Sequence, residues 1–230
     1  MGTDNLHHKR KARQVSELAR KQTKRERYAK VLVVCEGEKT EPNYFEALKD
    51  HLALNNANVV VTGECGSSPL SIFEYAMQRY RDEQRAGDSF DKVFCVFDRD
   101  THNTYQLALD KIATAKPKNT FVAITSVPCF EYWLLLHFEY TTALFHATGK
   151  KSAGDGVVDK LRKNLPGYQK NDGAVFDQLV ERLHQAKAHA ARALIEAQAN
   201  NSDNPSTRVH ELVEYLQNTP CVRLVVASKI

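Results

Sequence analysis

Short apolar runs alternate along the chain with segments whose apolar residues recur at helical spacing. Four of these runs have the length and the nearly continuous apolar character of strands buried on both faces. They occupy about residues 31–35, 58–62, 92–97 and 120–125. Helices are predicted between them, beginning near Glu41 and Pro69 and spanning about 105–115. The alternation predicts an α/β fold with a mostly parallel, doubly wound sheet of about four strands and helices on both faces.

The pattern changes after Pro128, and helical spacing dominates the rest of the chain. The predicted helices span about 130–138, 156–164, 174–200 and 206–217, and residues 221–227 could return as a final strand. We therefore divide the chain into a basic N-terminal arm (1–29), a catalytic domain (30–145) and a helical C-terminal extension (146–230) that packs on it.

Composition indicates a globular protein of the cytoplasm. Hydrophobic residues make up 42% of the 230, which is enough for a core, and no apolar run approaches the roughly 20 residues that span a bilayer. No apolar segment follows the basic N-terminus, so we expect no secretory signal and no membrane partner. The five cysteines lack paired spacing, which favours buried thiols over disulfides or a zinc site.

Positive charge is concentrated in the N-terminal arm. Residues 9–30 contain ten Lys and Arg against two Glu, whereas the rest of the chain has a net charge of −4. Such an arm can bind a nucleic-acid backbone, dock on an acidic partner or remain solvated, and we favour nucleic acid. The candidate contacts are Lys9, Arg10, Lys11, Arg13, Lys24 and Arg25.

Carboxylates follow two of the predicted strands at the point where each strand ends. Glu36 follows the first strand, and Asp98 and Asp100 follow the third. Ligands bind beyond the carboxyl ends of strands in an open parallel sheet, so we expect these acids at one edge. Each like-charge pair at about 4 Å costs about 4 kcal/mol at an effective dielectric of 20, so the cluster should either retain a proton or bind Mg²⁺ or Mn²⁺. Glu36 could then act as general acid or base, with Glu38 and Glu41 close enough to join. The alternative is that all of these are surface acids at strand ends.

The acidic strand ends resemble the Toprim domain of topoisomerases, primases and OLD-type nucleases. In that family a glutamate after the first strand and an aspartate pair after the third bind Mg²⁺ and assist phosphodiester cleavage. The resemblance implies these roles for Glu36, Asp98 and Asp100.

Longer strings over about residues 28–218 are similar to the RloB family. They are Glu36-Gly37-Glu38-Lys39-Thr40-Glu41-Pro42-Asn43-Tyr44-Phe45, Pro128-Cys129-Phe130-Glu131-Tyr132-Trp133-Leu134-Leu135-Leu136-His137-Phe138, and Asn204-Pro205-Ser206-Thr207 with Val209-His210.

Members of the RloB family are encoded in bacterial restriction and phage-defence loci, usually beside an ATPase. The resemblance therefore implies a Toprim-like, Mg²⁺-dependent endonuclease of phage defence, with an RloA-like ATPase as partner. It does not identify the substrate, which could be DNA, tRNA or another RNA. Relaxing topoisomerases cut through a tyrosine, and no tyrosine stands in an obvious separate module here, so hydrolysis by metal-activated water is expected. The chain contains no P-loop motif, so any ATPase activity would come from the partner.

Other polar residues lie near the predicted sheet edge. Lys39 and Thr40, near the start of the first helix, and His102, after the third strand, could contact a phosphate. Glu131 and His137 lie in the apolar helix that follows the fourth strand. A buried Glu131 needs a charged partner or a metal, which favours a catalytic role. For His137 a core position and a catalytic position both remain open.

Two other functions stay open. The string Asp98-Arg99-Asp100-Thr101 also resembles the opening motif of haloacid-dehalogenase phosphatases, and Gly154-Asp155-Gly156 loosely resembles their later acidic motif. In that family, however, the nucleophilic aspartate follows the first strand of the sheet. Alternatively, the chain could be a non-catalytic component that binds nucleic acid or an ATPase. The small-residue stripe within 174–200 is expected to pack into the core, although a homo-oligomer seam is also conceivable.

Overall fold

The computed structural model describes residues 29–66, 68–99 and 102–219. Several predicted features lie outside these residues: the final strand at 221–227, the metal ligand Asp100, and the basic side chains Lys9, Arg10, Lys11, Arg13, Lys24 and Arg25.

A five-stranded sheet forms the centre of the described protein. Its strands are β1 (Val31–Cys35), β2 (Val59–Thr62), β3 (Lys92–Asp98), β4 (Phe121–Val127) and β5 (Ser206–Thr207). Their spatial order is β2-β1-β3-β4-β5, with β1 to β4 parallel and β5 antiparallel to β4. The predicted α/β class and mostly parallel sheet are confirmed, but the sheet has five strands where four were expected.

The fifth strand replaces the start of a predicted helix. Ser206 and Thr207 pair with Val127 and Ser126, and the helix begins only at Val209. The side chains of Ser126 and Thr207 share a buried hydrogen bond of 3.0 Å. The cap signal at residues 204–206 therefore predicts a helix start that is too early. Ser206 and Thr207 instead form backbone hydrogen bonds with the edge of β4, which is distant in the sequence.

Helices cover both faces of the sheet, as predicted. They are α1 (Thr40–His51), α2 (Pro69–Arg85), α3 (Tyr105–Thr114), α4 (Glu131–Leu135), α5 (Ala153–Asn164), α6 (Val175–Leu179), α7 (Leu183–Ala199) and α8 (Val209–Asn218). Side chains alternate between faces along β1. Leu32 and Val34 pack with α2 and α3, whereas Val31 and Val33 pack with α1 and the C-terminal helices. The C-terminal helices thus share one core with the sheet, while a domain boundary at residue 145 stays a prediction.

Two predicted helices are shorter in the structure. The apolar helix expected over 130–138 is helical only at Glu131–Leu135, and the long helix expected over 174–200 is interrupted by a 3₁₀ turn at Val180–Arg182. The apolar spacing continues across the 3₁₀ turn, with Leu179 and Leu183 both buried, so the sequence pattern does not reveal the interruption. Helix α5 begins at Ala153, three residues earlier than expected, after a capping box of Ser152 and Asp155.

The described cysteines, Cys35, Cys65, Cys95 and Cys129, are buried free thiols, in agreement with the sequence interpretation. Among the helices that the structure describes, none has the length and apolar character needed to cross a membrane.

Candidate active site

A cavity of about 590 Å³ opens at the carboxyl ends of β1, β3 and β4, next to α1, α4 and α5. This is the sheet edge at which parallel α/β folds bind ligands. The wall of the cavity contains five carboxylates and two cations: Glu36, Glu41, Asp98, Glu131, Asp155, Arg99 and Lys170. Polar groups are therefore concentrated where the sequence analysis expected them.

Glu36 and Asp98 meet at the ends of two adjacent strands. Glu36 follows the last residue of β1, Asp98 is the last residue of β3, and the two strands pair directly. The backbone N–H of Asp98 donates a hydrogen bond of 2.8 Å to Glu36 Oε2. The backbone N–H of Phe130 donates one of 3.0 Å to Asp98 Oδ2. The predicted convergence of these two acids is thus observed, while Asp100 is outside the described residues.

Crowding of carboxylates changes their acidity. The pKa of Asp98 is raised well above its ordinary value by burial and by Glu41, Glu131 and Glu36, against the opposing hydrogen bond from Phe130. The pKa of Glu41 is raised to about 7, chiefly by burial and then by the charges of Glu131 and Glu36. The cavity therefore favours protonated carboxyl groups, or a bound cation, over a full set of ionised acids.

The acids fit a magnesium site of the kind that uses few protein ligands. Within residues 29–66, 68–99 and 102–219, no three or more His, Cys, Asp or Glu side chains are arranged to hold a metal ion together. Mg²⁺, however, is commonly held by one or two carboxylates, with water and substrate phosphate oxygens as its other ligands. Glu36 and Asp98 supply such a pair, and the negative charges of Glu41 and Glu131 that act on Asp98 would also stabilise a cation.

Glu131 lies against the cavity with two partners that the sequence analysis missed. The residue is only 3% exposed, and its Oε1 accepts a 3.3 Å hydrogen bond from the hydroxyl of Tyr168. The ammonium of Lys170 is 3.3 Å from the same oxygen. Burial acts to lower the pKa of Lys170, but the neighbouring charges, that of Glu131 foremost, and the hydrogen bond to Glu131 together outweigh it, so the pKa is raised. Tyr168 and Lys170 lie in a polar loop without periodicity, so no local signal marks them.

Of the other candidate residues, His102 and Thr40 lie at the cavity, whereas Lys39 and Glu38 do not line it. His102 Nε2 is 3.3 Å from Glu36 Oε1, so His102 adjoins the site. Thr40 lines the cavity, whereas Lys39 is exposed and does not line it. Glu38 is also exposed and lines a separate groove beside β2. The residues expected at this edge from the sequence are thus only partly brought together.

His137 is a core residue. It is fully buried, its Nδ1 is 3.1 Å from the carbonyl oxygen of Trp133, and its ring packs at 4.8 Å from that indole. Burial lowers the pKa of His137 to about 4, so the imidazole is neutral at physiological pH. It does not line the cavity.

Two further charged groups of the wall, Asp155 and Arg99, bind other residues of the protein. The carboxylate of Asp155 accepts hydrogen bonds from the backbone and the hydroxyl of Ser152 at the start of α5. The phosphatase-like string at 154–156 therefore lies in a helix and not at the end of a strand. Arg99 forms an ion pair with Asp203, in the loop that precedes β5.

Comparison with protein families matches residues 31–216 to the family described as RloB-like protein. Searches of curated proteins and of solved structures return no match.

Proposed function

The chain belongs to the RloB-like protein family, and from this premise we propose that it is a divalent-metal-dependent nuclease that hydrolyses phosphodiester bonds in DNA or RNA. One observation carries the proposal: Glu36 and Asp98, from adjacent parallel strands, meet at a polar cavity that holds further carboxylates. Carboxylate pairs of this kind bind Mg²⁺ together with phosphate oxygens.

Glu36 and Asp98 would hold the metal, with Asp100 as the further ligand that the sequence suggests. A bound Mg²⁺ would supply charge neutralisation at the phosphate and a lowered pKa for a water molecule. The protein itself fixes the orientation of the Glu36 carboxylate, because each of its oxygens has a partner. The backbone N–H of Asp98 donates to Oε2, and His102 Nε2 lies beside Oε1. Glu36 can therefore accept or hold a proton without first having to reorient.

The proposal is tested with the purified full chain, labelled DNA and labelled RNA, in Mn²⁺ or Mg²⁺ and in EDTA. Asp98→Asn and Glu36→Gln should each reduce cleavage roughly 100-fold or more, as expected for loss of a catalytic carboxylate. Glu64→Gln is the matched control, because Glu64 is an exposed acid just beyond the end of β2 and does not line the cavity. Unchanged cleavage by Asp98→Asn would refute the proposal.

Metal binding provides a second measurement. Mn²⁺ or Mg²⁺ alone should raise the melting temperature of the protein by mass action, and the increase should be absent in Asp98→Asn. A non-catalytic binding component that keeps these acids only for structure would show no such response. A phosphatase that uses Asp98 as nucleophile would instead form a covalent aspartyl phosphate, which can be trapped.

We also propose a role in phage defence beside an RloA-like ATPase, with the basic arm as a nucleic-acid contact. Support comes from the family and from the ten Lys and Arg within residues 9–30. Deletion of residues 1–28 should weaken nucleic-acid binding and lower its salt dependence, because each neutralised phosphate adds about 0.9 to the salt slope on B-DNA. Unchanged salt dependence would remove the arm from the interface.

A further inference from the structure

A loop between α5 and α6, residues 165–174, brings one cation to the wall of the carboxylate cavity. The hydroxyl of Thr40 donates a hydrogen bond to the carbonyl oxygen of Lys170, which joins this loop to the start of α1. The guanidinium Nε of Arg162 donates a 3.2 Å hydrogen bond to the carbonyl oxygen of Tyr168, and the ring of Tyr168 is buried. The backbone is therefore held at the carbonyl groups of Tyr168 and Lys170.

The side chain of Lys170 has an unusual combination of burial and exposure. Its ammonium is 3.3 Å from Oε1 of Glu131, whose side chain is only 4% exposed, yet the lysine side chain is 61% exposed. An ammonium has three hydrogen-bond donors, and Glu131 is the one carboxylate within ion-pair distance of it among the described residues. The pair thus holds the charge at the wall of the cavity and leaves ammonium donors available to a ligand.

A phosphodiester that enters this cavity requires positive charge from the protein. Glu36, Glu41 and Asp98 all line the cavity and would repel an anion. The second cation of the wall, Arg99, is in an ion pair with the exposed Asp203, which partly neutralises its charge. The charge of Lys170 also acts on the acids, since it partly opposes the rise in the pKa of Glu41.

We infer that Lys170 binds a nonbridging oxygen of the substrate phosphodiester, and that Glu131 is a positioning residue that holds the Lys170 ammonium, not a metal ligand. The inference deepens the proposed function and rests on it for the identity of the ligand. It reassigns Glu131, which the sequence analysis placed among the catalytic residues. The observations that carry it are the ion pair, the anchored loop and the shared cavity.

Binding is measured first, by fluorescence anisotropy of labelled single-stranded DNA and RNA with the full chain in EDTA, so that no cleavage occurs. Lys170→Met should weaken binding roughly 10-fold or more, the value of a charge-assisted hydrogen bond. It should also lower the salt slope by about 0.7, the contribution of one phosphate contact on a single strand. Lys170→Arg should retain most of the affinity. Lys163→Met, at an exposed lysine of α5, is the matched control and should bind like the wild type.

Lys170→Gln is the second variant, and it keeps the test decisive if Lys170→Met leaves the buried Glu131 carboxylate so unfavourable that the protein does not fold. The glutamine amide can still donate to Glu131 but carries no charge. Melting temperatures of all variants establish which are folded. Wild-type affinity and an unchanged salt slope in a folded Lys170→Gln would overturn the inference.

A double-mutant cycle separates the two roles of Glu131. If Glu131 positions Lys170, Glu131→Gln weakens oligonucleotide binding in the wild type and adds nothing in the Lys170→Met background. The affinity of Glu131→Gln for Mn²⁺ alone should equal that of the wild type. Additive losses, or a large loss of Mn²⁺ affinity in Glu131→Gln, would contradict the positioning role and place Glu131 at the metal.

The outcomes also separate this inference from the nuclease proposal. Lys170-dependent binding without any cleavage in Mn²⁺ would refute the nuclease and support the phosphate contact. Cleavage by the wild type, with Lys170→Met and Lys163→Met indistinguishable in binding and rate, would refute the phosphate contact and support the nuclease. Absence of oligonucleotide binding by the wild type would overturn the inference. Preference between the DNA and RNA strands identifies the source of the phosphodiester.

Discussion

Replacement of Glu41 by Gln should stabilise the protein at pH 8 and have little effect at pH 4. The pKa of Glu41 is raised from its ordinary 4.5 to about 7 in the folded protein, through burial and through the neighbouring acids. Between these values the folded state binds a proton that the unfolded state has released. The free energy of unfolding therefore falls as the pH rises through this window and does not recover above it.

The magnitude follows from the size of the shift. One pKa unit corresponds to about 1.36 kcal/mol, so a carboxyl shifted from 4.5 to about 7 costs up to about 3 kcal/mol of stability above pH 7. Solvent at the cavity makes this the upper end of the range. Glu41→Gln removes the cost, and in a chain of this size about 3 kcal/mol corresponds to a rise of roughly 6–12 °C in melting temperature at pH 8.

The assay is urea unfolding at several pH values between 4 and 8, followed by the fluorescence of Trp133, the one tryptophan of the chain. Glu38→Gln is the matched control, because Glu38 is an exposed glutamate in the loop just before α1. The difference between Glu41→Gln and the wild type should grow with pH from 5 to 7.5, and Glu38→Gln should show no such trend. A pH-independent difference would refute the raised pKa of Glu41.

Two further predictions concern the scaffold of the site. An added Cβ at Gly63 would come 2.9 Å from the Cα of Glu38, so Gly63→Ala must displace the loop after β1 and should cost about 1–3 kcal/mol. Gly156→Ala in α5 is the control for Gly63→Ala, because its new Cβ would lie 3.6 Å from the nearest atom. This variant should be neutral or more stable by up to about 1 kcal/mol. Equal melting temperatures of the two glycine variants would contradict the steric argument. Thr207→Val should cost about 1–3 kcal/mol, because it removes the partner that the buried hydroxyl of Ser126 has at 3.0 Å and the acceptor of the Val209 N–H. The double variant with Ser126→Ala should recover the part of the loss due to Ser126 in chemical denaturation, and a fully additive loss would show that this hydrogen bond does not contribute.

Local pattern was sufficient for the first half of the fold. The continuous apolar runs at Val31–Cys35 and Lys92–Asp98 are strands because their side chains are buried on both faces, which leaves a direct mark in the sequence. Helix periodicity likewise placed α1, α2 and α3. β5 left no such mark, since two polar residues, Ser206 and Thr207, become a strand only through pairing with β4.

The candidate site divides in the same way. Glu36 and Asp98 could be predicted because each follows an apolar strand, and the parallel pairing of these strands brings their ends to one edge. Glu41 could be suspected from its closeness in sequence to Glu36. His137 was ambiguous because a buried histidine and a catalytic one can share the same apolar helix, and its contacts with Trp133 decide for the core.

The strand ends on which the acids lie could be located from consecutive residues, because a strand buried on both faces is a continuous apolar run. The surroundings of those acids depend instead on the three-dimensional fold. Lys170 reaches Glu131 from a loop 39 residues further along the chain, and the raised pKa values of Asp98 and Glu41 depend on carboxylates from three separate elements. Charge interactions act through space, so they depend on distances that the order of residues does not contain.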